Sequence, residues 1–552
     1  MIDDLWYKNA VIYCLDVEKY IDANGDGVGD FEGLTRKLDY LAGLGVTCVW
    51  LQPFYPSPNL DNGYDVSEFY GIHPKHGSLG IFVEFMNHAQ QLGIRVVVDL
   101  VVNHTSVKHP WFQAARKDPK SPYRDYYIWS KKRPADHDEG MVFPGYQKTT
   151  WTKDPVAGEY YFHRFYDFQA DLNTMNPKVR QEILRIMGFW LQLGVSGFRM
   201  DAVPFLISAK GVDAPPKKDY ELLHLMRDFL QWRRRDAILL AEANVLPREN
   251  LDYFGAQGDR LQMMLNFPVN QRLFYALATA DIKPLVKALE DTYERPHTAQ
   301  WVNFLRSHDE LDLGRLTDAQ RQKVFAAFAP DKSMQLYDRG IRRRLAPMLD
   351  NDREQMELAF SLLFSLPGTP MLQFGDEIGI GDDLSLPERE CARTPMQWSD
   401  EPQGGFSRSE RTVRPVIDDP IYGYQRVNVE AQRRDRDSLL NWIGRVIRMR
   451  REIPEISWGD WTLIPTDEPG VLIMRYDYDG HIVITLHNFG RKPRAPRLER
   501  SVAHHERLVD LLGTEDSQAD AHGRHTIQLP PHGYRWFRPG QLDGTVVVDA
   551  EA

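Results

Sequence analysis

Cysteine is scarce in this chain: Cys14, Cys48 and Cys391 are the only three in 552 residues, too few and too far apart for a disulfide framework or a zinc knuckle. A reducing compartment is the setting this implies. An excess of positive charge is lacking too. Against 78 Asp+Glu stand 67 Lys+Arg, a formal net charge of −11, whereas a nucleic-acid binder needs a basic face to neutralise phosphates. No stretch approaches the ~20 apolar residues that span a bilayer. The start, MIDDLWYKN, has neither the basic region nor the apolar run of a signal peptide. These absences leave a soluble, cytoplasmic protein with no nucleic-acid or membrane partner; they do not exclude an oligomer. Surplus acidic oxygens suit bound cations or neutral polar ligands.

What is present is a rhythm. Eight β-like runs recur with helical patterns between them: AVIYCLDV, TCVWLQPF, IRVVVDLVV, GFRMDAV, AILLAEA, LQMMLNFP, WVNFLRS and TPMLQF. Several are apolar almost throughout, as strands covered on both faces must be. Eight βα units predict a closed (β/α)8 TIM barrel, an α/β fold, with an open doubly wound sheet as the alternative from periodicity alone. Two segments break the rhythm. Residues 104–170, rich in Pro, Tyr, Trp, Lys and Asp, read as an inserted lid between barrel parts 1–103 and 171–453. Residues 454–552 turn to alternating strands (GVLIMRYDY, HIVITLHNF, YRWFRP) and predict a C-terminal antiparallel β domain, a sandwich.

In such a barrel the chemistry lies where strands end. The strand ends offer Asp65, Asn103, His104, Arg199, Asp201, Glu242, His308 and Asp309. Taken singly, each carboxylate is as well explained as a cap or a buried ion pair. Three of them, Asp201, Glu242 and Asp309, converging on one mouth fit retaining glycoside chemistry: one attacks the anomeric carbon and a second, ~5 Å away, protonates the leaving oxygen. Like charges that close push their pKa values apart. Arg199, two residues before Asp201 on one strand face, is placed to hold Asp201 ionised.

A second pattern lies early. YIDANGDGVGDFEGL, from residue 20, sets Asp22, Asn24, Asp26 and Asp30 around glycines, matching the first nine positions of an EF-hand loop. Position twelve is Gly33 instead of Glu, and a β-like run precedes the loop. A calcium loop between strand and helix and a metal-free polar turn are both open.

GYDV (63–66), DLVVNH (99–104), GFRMDAV (197–203), LLAEAN (239–244) and FLRSHDE (304–310) resemble, in order, the motif regions of the α-amylase family of glycoside hydrolases, over roughly residues 5–455. The resemblance implies Asp201 as nucleophile, Glu242 as general acid/base and Asp309 as the transition-state-stabilising carboxylate. It places His104, Arg199 and His308 around the sugar in subsite −1, with Tyr64 stacking on that sugar and Asp65 gripping its distal hydroxyls. Asn244 and Arg393, the latter in RTPMQWS, join the substrate-binding set. It also implies a structural Ca2+ on Asp22, Asn24, Asp26, the Val28 carbonyl and Asp30.

QADLN (169–173) is similar to a signature of the oligo-1,6-glucosidase branch, while Ala202 after the nucleophile resembles members acting on α-1,4 or α,α-1,1 bonds. Longer stretches, among them WTKDPVAGEYYFHRFYDFQADLN and GIRRRLAPMLDNDR, are similar to members that interconvert maltose and trehalose. The implied activity is that interconversion on a disaccharide or short oligosaccharide, with some hydrolysis; a hydrolytic α-glucosidase is the alternative. Amylase-like domains also serve transporters without catalysis, but those lose the carboxylates kept here. Cys14, Glu18, Asn59 and Leu60 depart from the interconverting members. Those members carry a second calcium site pairing residues like Asn103 and Asp171 with a Glu after the fourth strand; the matching position is Ser208, so that site is not expected here.

Overall fold

In the computed structural model, residues 3–212, 214–503 and 506–540 are described. Eight parallel strands close a barrel: β1 (Ile12–Leu15), β2 (Cys48–Leu51), β3 (Arg95–Leu100), β4 (Gly197–Met200), β5 (Ile238–Ala241), β6 (Met263–Leu265), β7 (Gln300–Phe304) and β8 (Thr369–Gln373). Seven fall within the runs read from the sequence, and β7 begins one residue ahead of its run, at Gln300. Neighbours in sequence are neighbours in the ring, and β8 closes on β1 through Ile12 opposite Met371. Strand side chains alternate. Cys14, Trp50, Val97, Leu240, Met263 and Val302 fill the barrel, while Leu15, Val49, Val98, Phe198 and Leu239 face the surrounding helices. Both faces are therefore buried, which is why these runs lack polar alternation.

The N-terminal end of the barrel is plugged by the turn Asp3–Asn9. Tyr7 packs with the interior residues and donates its hydroxyl to the Thr298 carbonyl at 2.5 Å. Thr369 Oγ1 donates to the Tyr7 carbonyl at 2.6 Å. The other end is open and carries the long loops.

The excursion after β3 leaves through His104–Ser106 and returns antiparallel through Gln169–Asp171, with His104 opposite Asp171. Between them sits a small sheet of Trp129–Ser130, Tyr160–Phe162 and Trp151–Lys153. The C-terminal region forms one six-stranded antiparallel sheet, packed on one face by the short pair Arg497–Leu498 and His525–Thr526 together with Ala503, Ile527 and Leu529. It is a lopsided sandwich, because the six-stranded sheet uses its second face on the barrel: Trp536 Nε1 donates to Ser361 Oγ (3.0 Å) on helix Arg353–Ser365. Residues 541–552 of the expected domain lie outside the described residues. Among the described residues no helix is long and apolar enough to cross a membrane.

Candidate active site

Arg199 organises the open end of the barrel. It is 1 % exposed and lies opposite Asp99 in the register of β3 and β4. Its Nη1 donates to Asp99 Oδ1 and Asp201 Oδ1, both at 2.7 Å, and its Nη2 donates to Glu242 Oε2 at 2.6 Å. The chain bends sharply after Asp201: Ala202 takes the left-handed φ of 49°, a conformation that for a residue with a Cβ costs on the order of 1–3 kcal/mol and concentrates at active sites. The bend aims the Ala202 N–H at Glu242 Oε2 (3.2 Å). One guanidinium thus fixes the two carboxyl groups that the chemistry needs as neighbours.

Charge counting explains their protonation. Two buried carboxylates, Asp99 and Asp201, and the partly exposed Glu242 face one cation, so they cannot all ionise cheaply. Burial pushes Asp201 up to about 6 against the pull of Arg199, and Asp99 likewise up to about 6. Glu242 goes higher, to about 7, through burial and the charges of Asp201 and Asp309, again opposed by Arg199. Two carboxyls separated in this order suit a nucleophile and an acid. Asp309 behaves oppositely. Burial works against its charge, but the guanidinium groups of Arg389 and Arg393 outweigh it and hold the carboxyl well below the usual range.

His308 is itself neutral, since burial pushes its imidazolium down to about 3. Its Nε2 lies 2.8 Å from the Tyr64 hydroxyl and 3.2 Å from Asp309 Oδ2. The Tyr64 and His308 rings stack at 5.4 Å. His104 is also buried, with Nε2 3.1 Å from the Tyr64 carbonyl, and burial lowers its pKa. These groups line a cavity of about 390 Å3, the size of a small-molecule site, together with Asn244, which donates to Asp312 Oδ2 at 2.7 Å. Val142, Phe143, Phe165 and Gln169 of the excursion after β3 form its roof.

Two expected ligands of the sugar lie elsewhere. Asp65 is turned away from the cavity and caps its own loop, accepting from Ser57 Oγ (2.8 Å) and the backbone N–H groups of Leu60 and Asp61. Asp61 lines the cavity in its stead. Arg393 sits behind Asp309, donating to Asp309 Oδ1 (3.2 Å) and the His308 carbonyl (2.8 Å), while Arg389 lines the cavity and bridges Asp309 Oδ1 and Asp61 Oδ1, 2.8 Å each. Sequence reasoning also passed over Asp99 and Glu310. Asp99 had a signal, the pairing of opposite charges on adjacent strands. Glu310, beside Asp309 in FLRSHDE, lines the cavity, and burial raises it to about 7.

The departures noted at Glu18 and Asn59 meet outside the cavity. Asn59 Nδ2 donates to Glu18 Oε1 (2.8 Å), and the buried Lys19 Nζ binds Asp16 Oδ2 (2.6 Å) and Glu18 Oε2 (3.1 Å), anchoring the loop that presents Asp61. Cys14 lies inside the barrel and Leu60 is 62 % exposed.

In the loop from residue 22 to 30, Asp22 accepts from Gly25 N and Gly27 N (2.7 Å each) and Ser407 Oγ (2.6 Å). Asp30 accepts from Ala23 N, Asn24 N and Gly33 N. Gly27 has φ 90°, and a Cβ there would lie 2.0 Å from the Arg411 carbonyl oxygen. Three bonds on each carboxylate leave about one of its four lone-pair sites for a cation. The donors are all oxygens, the set a hard cation takes. Among the described residues no three His, Cys, Asp or Glu converge as a metal cluster. Ser208 does not face Asn103 and Asp171; its hydroxyl donates to the Pro204 carbonyl (2.5 Å), and Lys210 takes that place.

The sequence profile described as the alpha amylase catalytic domain matches residues 15–329 and 333–459, and that of a sucrose hydrolase-like C-terminal domain matches residues 480–538. The trehalose synthase/amylase of Mycobacterium tuberculosis is 40 % identical over 545 residues, 97 % of this chain and 90 % of that protein. The trehalose synthase of Pimelobacter sp. is 40 % identical over 555 residues, 98 % and 97 % of the two chains. Among solved structures, trehalulose synthase from Pseudomonas mesoacidophila superimposes with a TM-score of 0.76 at 26 % identity, covering 97 % of this chain and 99 % of its own. Trehalulose synthase has also been solved with its substrate sucrose.

Proposed function

The chain belongs to the α-amylase family of glycosidases and transglycosylases and is a trehalose synthase-like enzyme; we propose that it interconverts maltose and trehalose through a covalent glucosyl-enzyme, with some glucose released. The observation that carries this reading is the Arg199 fork, which holds Asp201 and Glu242 side by side in the cavity roofed by Val142, Phe143, Phe165 and Gln169. An Asp201 oxygen bonds to the anomeric carbon as the bond to the glycosidic oxygen breaks, and Glu242 gives that oxygen its proton. Arg199 and Ala202 N–H engage Oε2 of Glu242, leaving Oε1 to carry the proton. Ionised Asp309, with Arg393 behind it and Arg389 beside it in the cavity wall, faces the positive charge that develops on the sugar. Glu242 then takes a proton from the anomeric hydroxyl of the retained glucose. That oxygen replaces Asp201 on the anomeric carbon, and two inversions give net retention.

Incubation of purified protein with maltose and chromatography of the products tests the proposal. Trehalose as the main product supports it; glucose alone assigns a hydrolytic α-glucosidase. Asp201→Asn is expected to lose at least about 1,000-fold in turnover with an unchanged circular dichroism spectrum. The scarcity of cysteine, with all three free and buried, supports a cytoplasmic setting.

We also propose that the first loop holds one structural Ca2+ on Asp22, Asn24, Asp26, the Val28 carbonyl and Asp30. A ligand that binds only the native state raises its stability by mass action. Chelation is expected to lower the melting temperature, with one Ca2+ found per chain purified without chelator; no Ca2+ and an unmoved melting temperature would make the loop a plain turn.

A further inference from the structure

After β4 and the bend at Ala202 the chain runs through the short helix Val203–Leu206 to Lys210, whose side chain turns inward and is 4 % exposed. Its ammonium ends in a nest of oxygens: Asn103 Oδ1 at 2.7 Å, Asp171 Oδ2 at 2.9 Å, and the carbonyls of Asn103 and Leu172 at 3.2 Å each. An ammonium has three N–H donors, so four oxygens at these distances surround it as a small cation is surrounded. One carboxylate, one amide oxygen and two backbone carbonyls are the donors that Ca2+ selects. The oxygens come from the two places where the excursion after β3 joins the barrel. Asn103 precedes its outgoing strand, Asp171 ends the returning one, and Asn103 Nδ2 donates to Asp171 Oδ2 at 3.2 Å across the gap.

We propose that Lys210 is a built-in substitute for a divalent cation at the root of the active-site roof. As the chain stands, a metal does not fit: the ammonium fills the centre of the shell. Replacing Lys210 by a shorter carboxylate removes the positive charge, opens the centre and adds a ligand, so the same shell becomes a Ca2+ site. The ammonium and its four oxygens stay as they are whichever sugar the enzyme turns over.

Calcium binding is measured by isothermal titration of chelator-treated protein, in the wild type, in Lys210→Glu, in Lys210→Met and in Asp22→Ala, which removes a donor from the first loop. Lys210→Glu is expected to bind one more Ca2+ than the wild type and to gain melting temperature on adding Ca2+. Lys210→Met should melt lower than the wild type, with a Ca2+ response no larger. If Lys210→Glu fails to fold, Asp22→Ala decides, since it should bind no Ca2+ at all. Calcium bound by Asp22→Ala in the shell around Lys210, located by anomalous scattering, would overturn the proposal, as would a Lys210→Glu protein that folds and binds no additional Ca2+.

Discussion

At the scale of single residues, one cation shared by Asp99, Asp201 and Glu242 sets the pH behaviour. Asp201 works as a carboxylate and fails as pH falls through its value of about 6; Glu242 works as an acid and fails as pH rises through about 7. A narrow bell in kcat/KM between those values is the expected profile. Asp99 repels charge on Asp201, so Asp99→Asn should carry the acidic limb to lower pH, and an unmoved limb would detach Asp99 from the network. The motifs identify Asp201, Glu242 and Asp309, because a carboxylate at the end of an apolar run is conspicuous. They do not separate Asp61 from Asp65, or Arg389 from Arg393. In each pair the two residues lie four apart, Asp61 and Asp65 on an irregular loop and Arg389 and Arg393 across the end of the single short turn Glu388–Ala392, too short for a periodicity that says which one faces inward, and the fold alone settles it.

Among elements, the barrel strands are legible because burial on both faces leaves them no polar residues to blur the pattern. The roof is less so, since its short strands carry mixed aromatic and charged residues and its orientation depends on contacts distant in sequence. One such contact is Arg339, on the loop after β7. Its Nη1 donates to the Val142 carbonyl of the roof (2.8 Å) and its Nη2 to Glu310 (3.3 Å) at the cavity wall. Tyr166 of the roof and Tyr337 beside Arg339 both donate to Glu388 Oε2, at 2.5 and 2.6 Å. If closure keeps water from the glucosyl-enzyme, Arg339→Ala should raise the ratio of glucose to trehalose several-fold while consumption of maltose falls less. The ratio is independent of how much enzyme is active; a constant ratio would make Arg339 purely architectural.

For the whole molecule, the C-terminal sheet is joined to the barrel by buried contacts. Trp536 is fully buried against helix Arg353–Ser365, and the Tyr476 hydroxyl donates to the Ser365 carbonyl of the same helix. His487 Nε2 lies 2.9 Å from Ser361 Oγ. Trp536→Ala removes a large apolar side chain and leaves Ser361 without that donor, a loss of about 3–5 kcal/mol. Urea unfolding followed by fluorescence and circular dichroism should show one earlier, coincident transition; two separated transitions would mean the sheet and the barrel unfold independently. The plug at Asp3–Asn9 bears on how the enzyme can be handled. It occupies the barrel end opposite the carboxylates, so an affinity tag or resin linker attached ahead of residue 3 anchors the molecule by its back. Such immobilised protein should keep the KM of the free enzyme, with its mouth turned to the flowing sugar solution.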